Sequence, residues 1–371
     1  MIDDRPSPRP GTALPWRRAG FLLPAGLALL AGLDAAVLLL GLPAPVTTDR
    51  LPAVHGMLLV LGFVGTLVAL ERAVAGAHPA GFTAALALGI GGVLLLSPAP
   101  IIAGRVALCV GSLALIGTYV PLWRRQRDDA VLVQAFGAVL AAGAALLWLA
   151  DVEVAVLLPW LVGFVVLTIG GERLELARLA MGPRAAAGFL AVSVVLVGGI
   201  VATLLWPPVG YPLLGCALLA VVAWLGAHDV ARRTITSTGL PRFIAGCLLA
   251  GYGWLGVAGA IWLVGGAAPD GARYDAVVHA VFLGFTISMI MAHAPVILPA
   301  VLRRPLPYHP VMLVPAVLLH LSLVVRLWAG DAFGIRPAWQ AGGLLNVTAL
   351  LLFVAVAIWS ALRTAGREGG G

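Results

Sequence analysis

AVHGMLLVLGFVGTLVALERAV, residues 53–74, decides the fold class. From Gly56 to Leu70 it carries no ionisable side chain, and it then closes on Glu71-Arg72. About 20 mostly apolar residues in a helix cross the hydrocarbon core of a bilayer, where every backbone N–H and C=O must be paired internally. This stretch is therefore read as a transmembrane helix. His55, the ionisable group at its start, is costly there and marks a place to look for function.

The same signature recurs along the chain. Spans are expected at 19–41, 52–71, 80–97, 102–123, 131–150, 154–172, 186–206, 210–228, 242–265, 274–297, 309–329 and 338–362. The 371 residues are 61% hydrophobic and only 11% charged. A soluble domain carries roughly 45–50% apolar and about 25% charged residues. The chain is read as an all-α integral membrane protein with twelve transmembrane helices. Residues 19–363 form its transmembrane domain, with tails at 1–18 and 364–371. The loops are too short to hold a soluble domain, so any chemistry lies inside the bundle or at its rims.

Charge and motif content narrow the functional classes. All 23 basic residues are arginines, set in short clusters between apolar runs. The formal charge of +7 is thus a loop property and not a nucleic-acid footprint. Three cysteines, Cys109, Cys216 and Cys247, lie far apart in apolar segments with no CxxC spacing. There is no P-loop, HExxH or GxSxG. The N-terminal tail is polar and rich in Pro and Arg, unlike a cleavable signal peptide. Only five arginines, Arg50, Arg105, Arg273, Arg326 and Arg336, fall on one side of the twelve spans, and the other eighteen fall on the other side with both tails. Basic residues stay in the cytoplasm, so both termini are expected inside and the protein in a bacterial inner membrane.

An internal repeat is present. Gly62-Phe63-Val64 precedes Glu71-Arg72 in span 2, and Gly163-Phe164-Val165 precedes Glu172-Arg173 in span 6 at identical internal spacing. Span 10 carries Gly284-Phe285, with His293-Ala294 in place of Glu-Arg. This pattern predicts three four-helix units related by an axis along the membrane normal, with spans 2, 6 and 10 equivalent. Glu71-Arg72 and Glu172-Arg173 read as ion pairs that tie helices together, or as a route for proton entry.

Of seven histidines, His78, His228 and His309 fall at helix ends, where a solvated or capping role is expected. His55 and His279 lie seven and five residues before the Gly-Phe mark, a depth difference of about 3 Å. Two imidazoles at one depth on equivalent helices can ligate one haem iron from opposite faces, with small residues nearby admitting the macrocycle. They can equally form hydrogen bonds between helices. His320 is a third candidate ligand or a donor to something bound beside it. His293 follows His279 by fourteen residues and is expected to point the same way. It could serve a second, inner metal site or line a polar path. Arg326 and Arg336 flank the last loop on the histidine side, as rim arginines or as partners of haem propionates. Asp34 and Asn346 are buried polar groups with no assigned partner.

With these residues in view, the chain resembles subunit I of the haem-copper oxidases. The resemblance rests on twelve spans, four-helix repeats and histidines on helices 2 and 10. It implies that His55 and His279 hold a haem b and that Arg326 and Arg336 contact its propionates. The chain departs from that family in having no histidine in 131–206, so the usual copper site cannot be assembled. The stretches AVHGMLLVLGFVGTLVALERAV and VVHAVFLGFTISMIMAHAPVILPAVL are also similar to the NnrS proteins. That similarity implies haem, optional copper, and a link to nitric oxide or other nitrogen-oxide responses, with an electron donor or quinol as partner. Alternatives are a twelve-span proton-coupled transporter, using His293, His320, Asp34 and the glutamates, or a haem or copper assembly factor.

Overall fold

The computed structural model describes residues 20–176, 183–302 and 305–368. The expected tail 1–18, and with it Arg5, Arg9, Arg17 and Arg18, lies outside them, as do Arg178, Arg303 and Arg304. Among the described residues there is no strand. Among the same residues, twelve helices are long and apolar enough to cross a membrane. They are α1 (Leu22–Leu39), α2 (Arg50–Gly76), α3 (Pro79–Leu96), α4 (Ile101–Gln126), α5 (Asp129–Leu149), α6 (Val154–Leu176), α7 (Ala185–Leu205), α8 (Pro207–His228), α9 (Gly239–Gly265), α10 (Gly271–Val301), α11 (Pro310–Ala332) and α12 (Arg336–Arg363). The protein is a twelve-helix, multi-pass integral membrane protein. Its last helix continues to Glu368, so most of the tail expected at 364–371 is helical.

Helix starts follow from local chemistry. The Asp128 side chain accepts from the Ala130 amide at the head of α5. His78 and His309 do the same for Ala80 and Val311 at the heads of α3 and α11, and a proline follows each histidine. The capping role expected of these two histidines is what the structure shows. The outward faces are apolar: Leu23, Val209 and Val264 are among the most exposed side chains, as a lipid-facing surface requires.

The packing repeats three times. In each group of four, the first helix touches the second and third, the second touches the third, and the third touches the fourth. Fourth helices pass to the next group through α4 on α5 and α8 on α9, and α12 against α1 closes the ring. The second helices α2, α6 and α10 are the most deeply buried of the twelve. The recurrent Gly-Phe mark has a packing cause. A Cβ on Gly62 would meet Gly92 Cα at 3.4 Å, one on Gly163 would meet Ile200 and Leu140, and one on Gly284 would meet Trp254. The glycine lets each second helix lie tightly against its own unit.

Two second helices are not uniform. Residues Leu58–Gly65 of α2 and Ala280–Ile287 of α10 form π-helical turns, each beginning within three residues of His55 or His279. A third π segment, Val325–Ala332, carries Arg326 in α11. α6 is α-helical from Val154 to Leu176. Sequence spacing pairs α2 most strongly with α6, whereas backbone geometry pairs α2 with α10.

Candidate cofactor pocket

Between α1, α2, α6, α10 and α12 lies a cavity with about 890 Å³ of atom-free space, part of it open to the exterior. Its walls are apolar, built from side chains such as Leu33, Leu59, Phe63, Leu158, Val278 and Phe282. A few polar groups converge on it: His55, His279, Arg326, Tyr274 and Asn346. The two histidines picked out by depth therefore share one cavity, His55 from the first unit and His279 from the third, with α6 of the second unit completing the wall.

The ring nitrogens are differentiated. His55 Nδ1 lies 3.0 Å from the carbonyl oxygen of Gly32 in α1. His279 Nδ1 lies 2.8 Å from the carbonyl oxygen of Asp275, one turn earlier in α10. A carbonyl oxygen only accepts, so each Nδ1 carries the proton and donates. Each Nε2 is left with its lone pair. This is the tautomer that a ligating histidine adopts, with the distal N–H fixed by a backbone or carboxylate acceptor. His55 thereby ties α2 to α1, as the alternative of hydrogen bonds between helices also expects, whereas His279 bonds within its own helix.

Asp275 organises the rim of the cavity. Its carboxylate receives Arg326 Nε at 2.9 Å and Nη2 at 2.7 Å, and Trp339 Nε1 at 3.3 Å. His279 Nδ1 is 3.3 Å from its Oδ1. The Arg326 fork that the family resemblance assigns to a propionate is therefore occupied by Asp275, and only Nη1 is left. Arg336 is exposed at the start of α12 and does not line the cavity. Asn346 donates to Ser322, but its buried Oδ1 faces no donor. Asp34 accepts from the Val46 amide, and its Oδ2 also lacks a partner.

The other two candidate histidines lie elsewhere. His320 Nδ1 accepts from Trp254 Nε1 at 3.0 Å, and its Nε2 faces Ser288 Oγ at 3.3 Å. Ser288 in turn donates to the Cys247 carbonyl. Both ring nitrogens are thus engaged in a bond network between helices. His293 donates from Nδ1 to the Met289 carbonyl, and its Nε2 accepts from Arg173 Nη1 at 3.1 Å. It reaches α6 through that bond to Arg173. Among the described residues, no group of three or more His, Cys, Asp or Glu side chains is placed to hold a metal ion.

The far ends of α2, α6 and α10 carry a second polar layer. His55 and Arg72 are separated by about 25 Å of helix. Arg72 binds Glu71 at 2.7 Å, Gln134 at 2.9 Å and Glu175 at 3.2 Å, with Glu172 at 3.9 Å. Arg173 does not pair with Glu172 as its position suggests. It forks onto Asp229, in the α8–α9 connection, at 2.8 and 3.0 Å, and Tyr252 donates to the same carboxylate. Burial would raise the Asp229 carboxyl, but the bonds and charge of Arg173 and the Ala231 amide outweigh it and hold the group below its ordinary value.

These bonds give the repeat a physical meaning. Arg72 of the first unit reaches the second unit, at Gln134, Glu172 and Glu175. Arg173 of the second unit reaches the third, at His293. Glu172 and His293 hold equivalent positions, so the exchange of Glu for His in the third copy keeps an acceptor for the preceding arginine. Ala294 stands where the third arginine would be, and Glu71 is left to bind its own neighbour Arg72. Two of the three joints are stapled this way, and the cavity lies at the third.

Reading the sequence missed Asp275, Gln134 and Asp229. Only Asp275 had a local signal, the i, i+4 spacing Asp275–His279 on one helix face. No curated protein and no solved structure matches the chain. A family model described as a domain of unknown function, DUF8744, matches residues 18–362. With nearly the whole chain covered by that model, the protein belongs to the DUF8744 family.

Proposed function

We propose that this protein binds a b-type haem in the cavity lined by His55 of its first unit and His279 of its third, the two residues that would hold the iron. The observation that carries this reading is the pairing of tautomers: two histidines line one apolar cavity, and each has Nδ1 tied to a carbonyl and Nε2 free. The donor set fits the group. Neutral imidazoles, apolar walls and an orphaned amide oxygen at Asn346 suit a flat hydrophobic macrocycle with a polar edge. A bound haem supplies one-electron chemistry. The chain's own part is to fix both rings, keep water from the apolar slot and present Arg326 Nη1 and Asn346 at the edge.

The wider reading follows the resemblance to the NnrS proteins and the oxidases. The protein then sits in a bacterial inner membrane with both termini in the cytoplasm. It takes electrons from a protein donor or quinol and acts in the handling of nitric oxide or related gases. Copper, if used, must find ligands other than the histidine set of the oxidases. The cavity lies on the side opposite to the arginine-rich loops.

The test is an optical spectrum of detergent-purified protein, oxidised and dithionite-reduced, with iron and copper quantified on the same sample. A Soret band that shifts on reduction and near-stoichiometric iron are expected. His55→Ala and His279→Ala should each abolish haem retention while the protein still purifies as a folded monodisperse species. Carbon monoxide or nitric oxide added to the reduced protein then asks whether either ring gives way. A colourless, iron-free protein expressed with haem supplied, or a double variant with full haem, refutes the proposal.

A further inference from the structure

The two candidate ligands are not held alike, and the difference lies in Asp275. His55 donates only to the Gly32 carbonyl, a neutral acceptor. His279 has a carbonyl and a carboxylate within reach of the same Nδ1, both supplied by Asp275. The carboxylate does not swing freely, because Arg326 grips both oxygens and Trp339 Nε1 bonds Oδ2. Arg326 is itself buried at 6% exposure and lies with its guanidinium carbon 5.2 Å from the Trp339 ring centre. The buried Oδ2 of Asp331, in α11, has no hydrogen-bond partner. A residue from α10, one from α11 and one from α12 thus fix one carboxylate against one imidazole.

We propose, resting on the haem reading above, that Asp275 is a positioning residue that makes His279 the more electron-donating of the two axial ligands and so sets the reduction potential of the bound haem. A carboxylate that accepts from the distal N–H raises the basicity of a ligating imidazole. A more basic ligand favours the oxidised iron, so the potential is held down. Arg326 serves this arrangement as the counter-ion that keeps Asp275 ionised and still, and not primarily as a haem partner.

The experiment uses the haem-loaded protein in detergent. Redox titration should give Asp275→Asn a more positive midpoint potential than wild type, with haem content retained. The near-infrared charge-transfer band, read by magnetic circular dichroism, reports how anionic the axial pair is. In wild type it should indicate one imidazole of anionic character, and in D275N two neutral ones. Asp331→Asn, which leaves the contacts of His279 with Asp275 in place, should leave that band where it is. D275N leaves the Arg326 charge uncompensated, so the double variant D275N/R326Q, which removes it, is measured alongside and should show the D275N band. A wild-type band of two neutral imidazoles overturns the proposal by itself, as does a D275N potential equal to that of wild type. In both cases the haem assignment stands. Wild-type protein without haem removes the haem reading and this inference together.

Discussion

Asp229→Asn tests the joint between the second and third units. The carboxylate accepts four bonds: Arg173 Nε at 2.8 Å, Arg173 Nη2 at 3.0 Å, the Tyr252 hydroxyl at 2.8 Å and the Ala231 amide at 2.7 Å. An asparagine offers one oxygen, which serves two of these donors, and an NH2 group that confronts the others. Arg173, 7% exposed, keeps its charge with no counter-ion. Breaking a buried pair from one side costs about 3–5 kcal/mol. At about 1.4 kcal/mol per decade, the unfolding equilibrium should move by roughly a hundred- to several-thousand-fold. Reversible unfolding of the purified protein in a single detergent measures this. D229N/R173Q should recover a large part of the loss, because no lone charge remains. Acid provides an independent arm. The folded carboxyl titrates below its ordinary value of 3.8, so its contribution is full well above that pH and is lost as pH falls through the folded value. The stability difference between wild type and D229N should therefore shrink on acidification. A cost below about 1 kcal/mol, typical of a solvated surface pair, or a difference that does not change with acid, would show that water reaches this joint and that the staple is not formed.

Other outcomes follow from the same geometry. Gly56→Leu adds a side chain to the cavity wall, where a Cβ at 56 meets Val154 Cγ1 at 3.6 Å. The haem-to-protein ratio at limiting haem should fall by about tenfold or more, worth about 1.4 kcal/mol of binding, with the fold intact by circular dichroism. His320→Phe should leave haem content unchanged and lower stability by about 1–3 kcal/mol, because it orphans Trp254 Nε1. Gly215→Ala drives a Cβ to 2.4 Å from the Leu263 amide nitrogen and 2.6 Å from the Gly259 carbonyl oxygen, so α8 and α9 must separate. It should cost about 1–3 kcal/mol in the detergent unfolding assay. Gly253→Ala, with nothing within 4 Å, should be neutral or stabilising by up to about 1 kcal/mol.

Much of this architecture was legible because a bilayer imposes it. A run such as Leu58–Leu70 has one viable backbone in lipid, so twelve such runs read as twelve helices, and the structure places helices over all of them. The pairing of His55 with His279 was also legible, since both lie at a similar distance from a glycine that the packing anchors. What escaped is rotational and distant. Arg173 sits beside Glu172 in sequence, yet its partner is Asp229, 56 residues away and on another helix connection. No spacing rule announces such a bond. Asp275 was within reach, one turn before His279, but its significance depends on Arg326 and Trp339 arriving from two other helices. The expected common direction of His279 and His293 assumed a straight α-helix, and the π segment Ala280–Ile287 lies between them.

That segment and its counterpart in α2 act as angular couplings. One residue of an α-helix turns the chain by about 100°, and a π turn accommodates about one residue more than an α turn. The azimuth of His55 is thereby decoupled from the azimuth of Arg72, although both ride on one rod. Deleting a single residue within Leu58–Gly65 would restore plain α winding. Because the wide turn takes up its extra residue within one turn, the His55 half would keep its direction while the arginine half kept its grip on the next unit. α6, wound without such a coupling, aims both of its halves together. A one-residue insertion elsewhere in the span, with no wide turn to absorb it, would instead rotate one half against the other by about 100°.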